Sequence, residues 1–183
     1  MSKIPNGVRT ETIENLEFDA GLVLKEKYTG QPDIKSLVLC ATTGGIKVNI
    51  SAVKRKIAFD GVLENTAGTD YIYGYTGGVQ FSTKETDKEK VKLAIGYAGI
   101  ENNVVTLKQG IVPLTEYKDI YILGKQNNGT WRQICMEKTM NQVGLQETRN
   151  DKGETEIAFD LQANYGIDTQ DTPPIKIEYI TEG

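Results

Sequence analysis

The sequence predicts a mainly β protein, an antiparallel β-sandwich or barrel with one short flanking α-helix. Three observations predict it. Apolar and polar residues alternate with a period of two wherever the pattern is clear, clusters of Gly, Asn, Asp and Pro punctuate the chain, and only one segment carries helix signals at both ends. A chain of 183 residues suffices for one domain with a sizeable core. No internal repeat, low-complexity tract or linker divides it, so 1–183 reads as a single domain.

Residues 1–15 are polar and unpatterned and read as an N-terminal arm, followed by the extended stretch LEFDAGLVL at 16–24. In the next strand Ile46, Val48 and Ile50 alternate with Lys47, Asn49 and Ser51, so one face is buried and the other is wet. Beyond Ala52 the apolar set becomes Val53, Ile57 and Phe59. A one-residue slip turns side chains to the opposite face, which predicts a bulge or bend near 51–54. Asp60-Gly61 supplies a corner, and 64–70 reads as a loop.

The following strand places Val79, Phe81 and Thr83 on one face and Gln80, Ser82 and Lys84 on the other. It leads into a helix at about 86–98. Thr86-Asp87-Lys88-Glu89 reads as a capping box with Thr86 as the cap. Val91, Ala94, Ile95 and Ala98 form its apolar stripe, and Gly96 or Gly99 is the stop. So short a helix must dock that stripe on the sheet.

The second half reads as hairpins. Segment 117–124 pairs with 130–138 across Asn128-Gly129, a dipeptide suited to a type I′ turn. Segments 142–149 and 154–165 flank the turn cluster at 150–153, with Ile157, Phe159 and Leu161 alternating with Glu156, Asp160 and Gln162. Pro173-Pro174 breaks the chain before a last strand carrying Ile175, Ile177 and Tyr179.

Composition excludes several classes of function. No apolar run approaches ~18 residues, so no membrane-spanning helix is expected, and no apolar h-region follows the basic residues of the N-terminus. The chain is therefore expected to fold in a cytoplasm, with Cys40 and Cys135 as buried free thiols rather than a disulfide. The sequence has no histidine, which removes the usual general base and the commonest transition-metal ligand. No phosphate loop, GxSxG elbow, HExxH helix or EF-hand loop is present. The expectation is a protein that is not an enzyme and has no cofactor, metal-binding or catalytic residues.

Five segments resemble one family. LEFDAGLVL, then GGIKVNISAVKRKIAFDGV at 44–62, FSTKETDKEKVKLAIG at 81–96, DIYILGKQNNGTW at 119–131, and IAFDLQANY followed by PPIKIEY resemble, in that order, the tail tube proteins (major tail proteins) of long-tailed bacteriophages. The resemblance implies a β-sandwich or barrel with a flanking helix, related to the tubes of contractile tails and type VI secretion. It implies hexameric rings that stack helically into a hollow tube for DNA ejection, in a siphophage virion assembled in the host cytoplasm. The implied partners are further copies of the chain, a tape measure protein, a tail terminator, and baseplate or distal tail proteins. DNA passes without specific binding, and no membrane is involved.

Within that expectation, strands at 44–60, 79–85 and 154–164 build an inner sheet continued from subunit to subunit, since exposed strand edges must be blocked or used. Their polar residues, Lys47, Asn49, Ser82, Lys84, Glu156, Asp160 and Gln162, are candidates to face the lumen. The segment 61–78, with Tyr71, Ile72, Tyr73 and Tyr75, is the candidate ring-stacking loop; the other reading is a strand start that buries two of its rings. A net charge of −4 suits a channel that DNA must leave, because a basic lining would hold phosphates. The basic clusters at 54–56 and at Lys84, Lys88, Lys90 and Lys92 read as a solvated face, ion pairs between subunits, or DNA contacts. The alternative is a monomeric β-sandwich binding module of carbohydrate or adhesin type, for which Trp131 is the candidate aromatic platform.

Overall fold

The computed structural model describes residues 9–17, 19, 21–63, 66–149 and 151–181. The first eight residues of the expected arm, Phe18 and Ala20 of the extended stretch after it, Glu64 and Asn65 of the expected loop and Asn150 of the last turn lie outside them. The elements are α1 (Thr10–Glu14), β1 (Leu22–Leu24), β2 (Val38–Cys40), β3 (Thr42–Lys56), β4 (Asp70–Thr83), α2 (Lys88–Ile95), β5 (Ala98–Glu101), β6 (Val104–Leu107), β7 (Lys118–Lys125), β8 (Trp131–Asn141), β9 (Gln146–Thr148), β10 (Glu156–Gln162) and β11 (Ile175–Ile180). The chain is mainly β, as its alternation requires.

Antiparallel pairing joins the strands in the order β2-β1-β7-β8-β10-β4-β3, with β11 also on β8 and β9 also on β10. Strand β8 belongs to both halves. Its first part lies between β7 and β11, and its end, at Met140 and Asn141, pairs with β10. Between them Glu137 and Lys138 face the single residue Asp119, and Lys138 takes φ 51°, a left-handed backbone that a lysine adopts at a cost. The bulge is held open on both sides: Asp119 accepts the Lys138 N–H at 2.8 Å, and the Asn164 side chain donates to the Lys138 carbonyl at 2.8 Å.

The bend lets two sheets face each other across one core. Val23, Ile120, Ile122, Ile134 and Met136 pack from one side against Val79, Phe81, Ile157, Phe159 and Leu161 from the other. Phe81 and Phe159, direct cross-strand partners, stack with centroids 5.0 Å apart. The β7/β8 sheet also has a buried outer side, where Leu24, Leu37, Leu123 and Tyr28 cluster under the connection at 25–37. Gln133, wholly buried, pins that connection by accepting the Tyr28 N–H at 2.8 Å and donating to the Tyr28 carbonyl at 3.3 Å.

Several local expectations change. The cap of α2 is Asp87, not Thr86: its carboxylate accepts the N–H groups of Glu89 and Lys90 at 3.0 and 3.2 Å, and its charge meets the positive end of the helix. Burial raises the Asp87 pKa, but bonds from the Lys90 amide and ammonium and the Glu89 amide outweigh it and hold the carboxyl below its ordinary value. The helix spans Lys88–Ile95 and stops at Gly96, so Ala98 belongs to β5 and Leu93 joins Val91 and Ala94 against the core. Only Gly129 of Asn128-Gly129 takes positive φ, giving a turn with a left-handed glycine in place of type I′. Asn102 and Asn103, both at positive φ, have the type I′ pattern between β5 and β6. The arm is not unpatterned throughout, because α1 forms a helical turn within it.

Candidate assembly surface

Strands β3 and β4 are longer than the body they pack on. Strand β10 supports β4 only through residues 78–83, while the β3–β4 pairing continues to Lys56↔Asp70. The remainder is a two-stranded ribbon closed by residues 57–69, where Ile57 N–H donates to the Thr69 carbonyl at 2.7 Å and Gly61, at φ 79°, makes the expected Asp-Gly corner. Tyr165 marks its base: the hydroxyl accepts the Tyr75 N–H at 2.6 Å and fills the space beside Gly74. The expected irregularity lies between Val53 and Lys54, but the extra residue is Tyr73 on β4.

The four candidate stacking residues therefore sit on a strand, not in a loop, and all four are exposed. The reading that buries two of their rings does not hold. Nor are Ile57 and Phe59 an inward set, because Phe59 is 61% exposed and the neighbouring Leu63 is 83% exposed. The body ends before this part of the hairpin, so alternation there has no core to select. Charges on the shank are partly met within the chain. Asp70 pairs with Lys56 at 3.0 Å and Lys54 at 3.8 Å, and the hydrogen bond from Lys56 holds its carboxyl below the ordinary range. Arg55 lies over the Tyr71 ring, 5.3 Å from its centre.

The seven candidate lumen residues do come together. Register places Lys47, Gln80 and Asp160 in one row, and Asn49, Gly78 and Gln162 in the next, with Ser82 on the same face of β4. Lys84 and Glu156 continue that side by alternation. The opposite face carries Val48, Val79 and Leu161 into the core. Gln80 donates to Asp160 at 2.9 Å, Thr43 donates to Glu156 at 2.9 Å, and Lys84 bonds Glu154 at 3.0 Å. That last bond holds the Glu154 carboxyl below its ordinary value. Two lysines thus stand against three carboxylates, most of them tied to a neighbour. Along its outer edge β3 has no strand beside it among the described residues.

The other lysine cluster is likewise paired inside the subunit, Lys90 with Glu85 and Asp87 and Lys92 with Glu116. Trp131 is half-buried in the outer cluster, beside Tyr28 and under the Lys125 ammonium, so it offers no open platform. No family model matches the chain, and no curated protein matches it. Among solved structures it is similar to a chain of the virion of native gene transfer agent (GTA) particle. That likeness covers 87% of this chain and 95% of the other, at a TM-score of 0.46 and 8% identity. At that level the surface is read from its own geometry.

Sequence reasoning missed what anchors these parts. The stretch just after the arm is clamped by Glu17, whose carboxylate meets Arg132 at 2.6 and 3.0 Å and occupies the space that Gly124 leaves free. The carbonyls of Glu14 and Leu16 accept N–H groups of the 126–129 turn, each at 2.9 Å. A lone Glu in an extended stretch carries no signal of its target; an aromatic beyond a strand end, like Tyr165, carries only a faint one. Among the described residues no group of His, Cys, Asp or Glu is placed to hold a metal ion. The thiols of Cys40 and Cys135 are buried, and burial pushes each up to about 11.

Proposed function

We propose that this chain is a structural subunit that assembles with copies of itself into stacked rings, forming the tail tube of a bacteriophage virion through which DNA is ejected. The observation that carries this reading is the ribbon. A two-stranded hairpin is marginally stable alone in water, and this one holds Ile57, Phe59, Leu63, Ile72 and Tyr73 exposed beyond the body. Such a surface suits a neighbouring copy. The uncovered edge of β3 offers backbone donors and acceptors along 15 residues, which would extend the β10-β4-β3 sheet into the next subunit of a ring.

In that arrangement the face carrying Lys47, Asn49, Ser82, Lys84, Glu156, Asp160 and Gln162 lines the lumen. Its two lysines stand among three carboxylates, one of which, Glu154, holds Lys84, so the face would give phosphates little to bind, which supports passage without retention. A tape measure protein inside, and terminator and baseplate or distal tail proteins at the ends, are the partners this role requires. The test is electron microscopy of the concentrated full-length protein beside a variant lacking residues 64–70. Tubes with a central channel from the parent, and a folded, tube-free variant, are expected. Intact tubes from the variant would refute the stacking role, and a channel lined by the Val48 face would refute the orientation.

A further inference from the structure

The turn between β7 and β8 carries a reactive pair of residues with no part in the assembly surface. In Asn128-Gly129 the glycine has no side chain to hinder its amide nitrogen, and Asn128 is exposed. The turn is nonetheless tied down. Asn128 Oδ1 accepts the Thr130 N–H at 2.9 Å, Asn128 Nδ2 donates to Asn15 Oδ1 at 3.3 Å, and the Gly129 N–H donates to the Gln126 carbonyl at 3.0 Å. The Asn128 N–H donates to the Glu14 carbonyl and the Asn127 N–H to that of Leu16, both at 2.9 Å. Three of these bonds end on residues 14–16, which Glu17 anchors through its backbone bridge to Gln126 and its ion pair with Arg132.

We infer that Asn128 is a site of spontaneous deamidation, held back while residues 14–17 lie against the turn, and that the reaction releases them. The Gly129 nitrogen loses its proton to water and attacks Asn128 Cγ. The new N–Cγ bond closes a five-membered succinimide, and the side-chain nitrogen leaves as ammonia. Water then opens the imide at one of its two carbonyls, giving an aspartyl residue or an isoaspartyl one whose main chain runs through the former side chain. The folded geometry holds this in check, because Gln126 engages the Gly129 N–H while Thr130 and Asn15 engage the Asn128 amide. Those three bonds must break before Cγ can swing to the nitrogen, and at about fivefold apiece they slow cyclisation ~100-fold relative to the unfolded chain. Either product undoes the tie. A carboxylate has no N–H for Asn15 Oδ1, and it adds a charge beside a segment, 11–17, whose ionisable groups Glu11, Glu14 and Glu17 are all acidic. The isoaspartyl form lengthens the main chain by one carbon inside a turn set by Gly129 at φ 88°. With ammonia lost, the change runs one way.

Mass spectrometry of the full-length protein tests this, whether or not it forms tubes. Trypsin releases residues 126–132 as one peptide and 4–9, which holds Asn6-Gly7, as another, so the two Asn-Gly pairs are read separately. Incubated in labelled water at neutral pH, the native protein is expected to exchange the Asn128 side-chain nitrogen for heavy oxygen at a rate ~100-fold below that in urea, with fragmentation placing the change at Asn128 and not Asn127. Asn15→Ala, which removes one tie on an exposed residue, should speed the reaction about fivefold, and Glu17→Gln, which loosens residues 14–17 together, should speed it further. Circular dichroism checks that both variants are folded. Asn128→Asp should raise hydrogen exchange at the amides of residues 127 and 128, which bond to Leu16 and Glu14 in the parent. Equal rates in native and unfolded protein would overturn the protection, and a native protein with no reaction after the time a ~100-fold slowing allows would overturn the site. Unchanged rates in both arm variants, or unchanged exchange in Asn128→Asp, would overturn the coupling to residues 14–17.

Discussion

Asn141 is the side chain through which the two sheets and the helix are tied together, and its removal has a calculable cost. It is buried at the β8–β10 junction. Its amide nitrogen donates to the carbonyls of Ala94 in α2 and Gly144 at 2.6 and 2.7 Å, and its oxygen accepts the Asp160 N–H at 2.8 Å. Asn141→Ala removes three bonds worth about 1 kcal/mol each and strands three backbone groups, so unfolding free energy should fall by about 3 kcal/mol or more. For a domain of this size that lowers Tm by ~6–12 °C, read by calorimetry or urea titration. Asn141→Asp is the sharper probe. Above its folded pKa a buried carboxylate faces two carbonyl oxygens with nothing to donate, so that pKa rises above the unfolded value. The variant's deficit should therefore be greatest at neutral pH and shrink as pH falls toward 4, the opposite of ordinary acid destabilisation. An Asn141→Ala loss below about 1 kcal/mol, or an Asn141→Asp deficit independent of pH, would show that the junction does not depend on these bonds.

Gly77 has no room for a methyl group, since a Cβ there would collide with the Ile175 δ-methyl and lie 3.1 Å from the Asn49 carbonyl. Gly77→Ala should cost about 1–3 kcal/mol, part of it regained in Gly77→Ala with Ile175→Val, as denaturant midpoints will report. Cys40 and Cys135, pushed up to about 11 by burial, should not react with a thiol reagent at pH 8 until denaturant is added. The hydrogen bond from Lys176 to Glu137, at 2.7 Å, holds that carboxyl below its ordinary value. A depressed folded pKa adds stability above the unfolded pKa and loses it as pH falls through the folded one. Glu137→Gln should therefore flatten the acid limb of a stability–pH curve and leave the alkaline limb unchanged.

Much of the architecture was legible in the sequence because burial imposes a period. Ile157, Phe159 and Leu161 face the core while Glu156, Asp160 and Gln162 face away, and the same split holds at Val79 and Phe81 against Gln80 and Ser82. That alternation also grouped the seven residues of the polar face, since one sheet side is enough to collect them. Where no core selects a side, the pattern stopped informing. Tyr71, Ile72, Tyr73 and Tyr75 read equally as a loop or as a buried strand start, and they are neither. The helix cap, read as Thr86, is Asp87, because both residue types cap and the pattern around them does not separate the two.

By itself, then, the sequence determined a mainly β chain with one short helix following the strand that carries Val79 and Phe81, and the inward and outward faces of its supported strands, since solvent sorts side chains locally with period two. Tertiary structure decided the rest. That β8 bends at Lys138 to serve two sheets, that Glu17 finds Arg132, that Tyr165 anchors the base of a ribbon and that the ribbon outruns its support all depend on residues far apart in the chain. Contacts of that range are set by how the sheets pack, and packing leaves no periodic trace in the residues it joins.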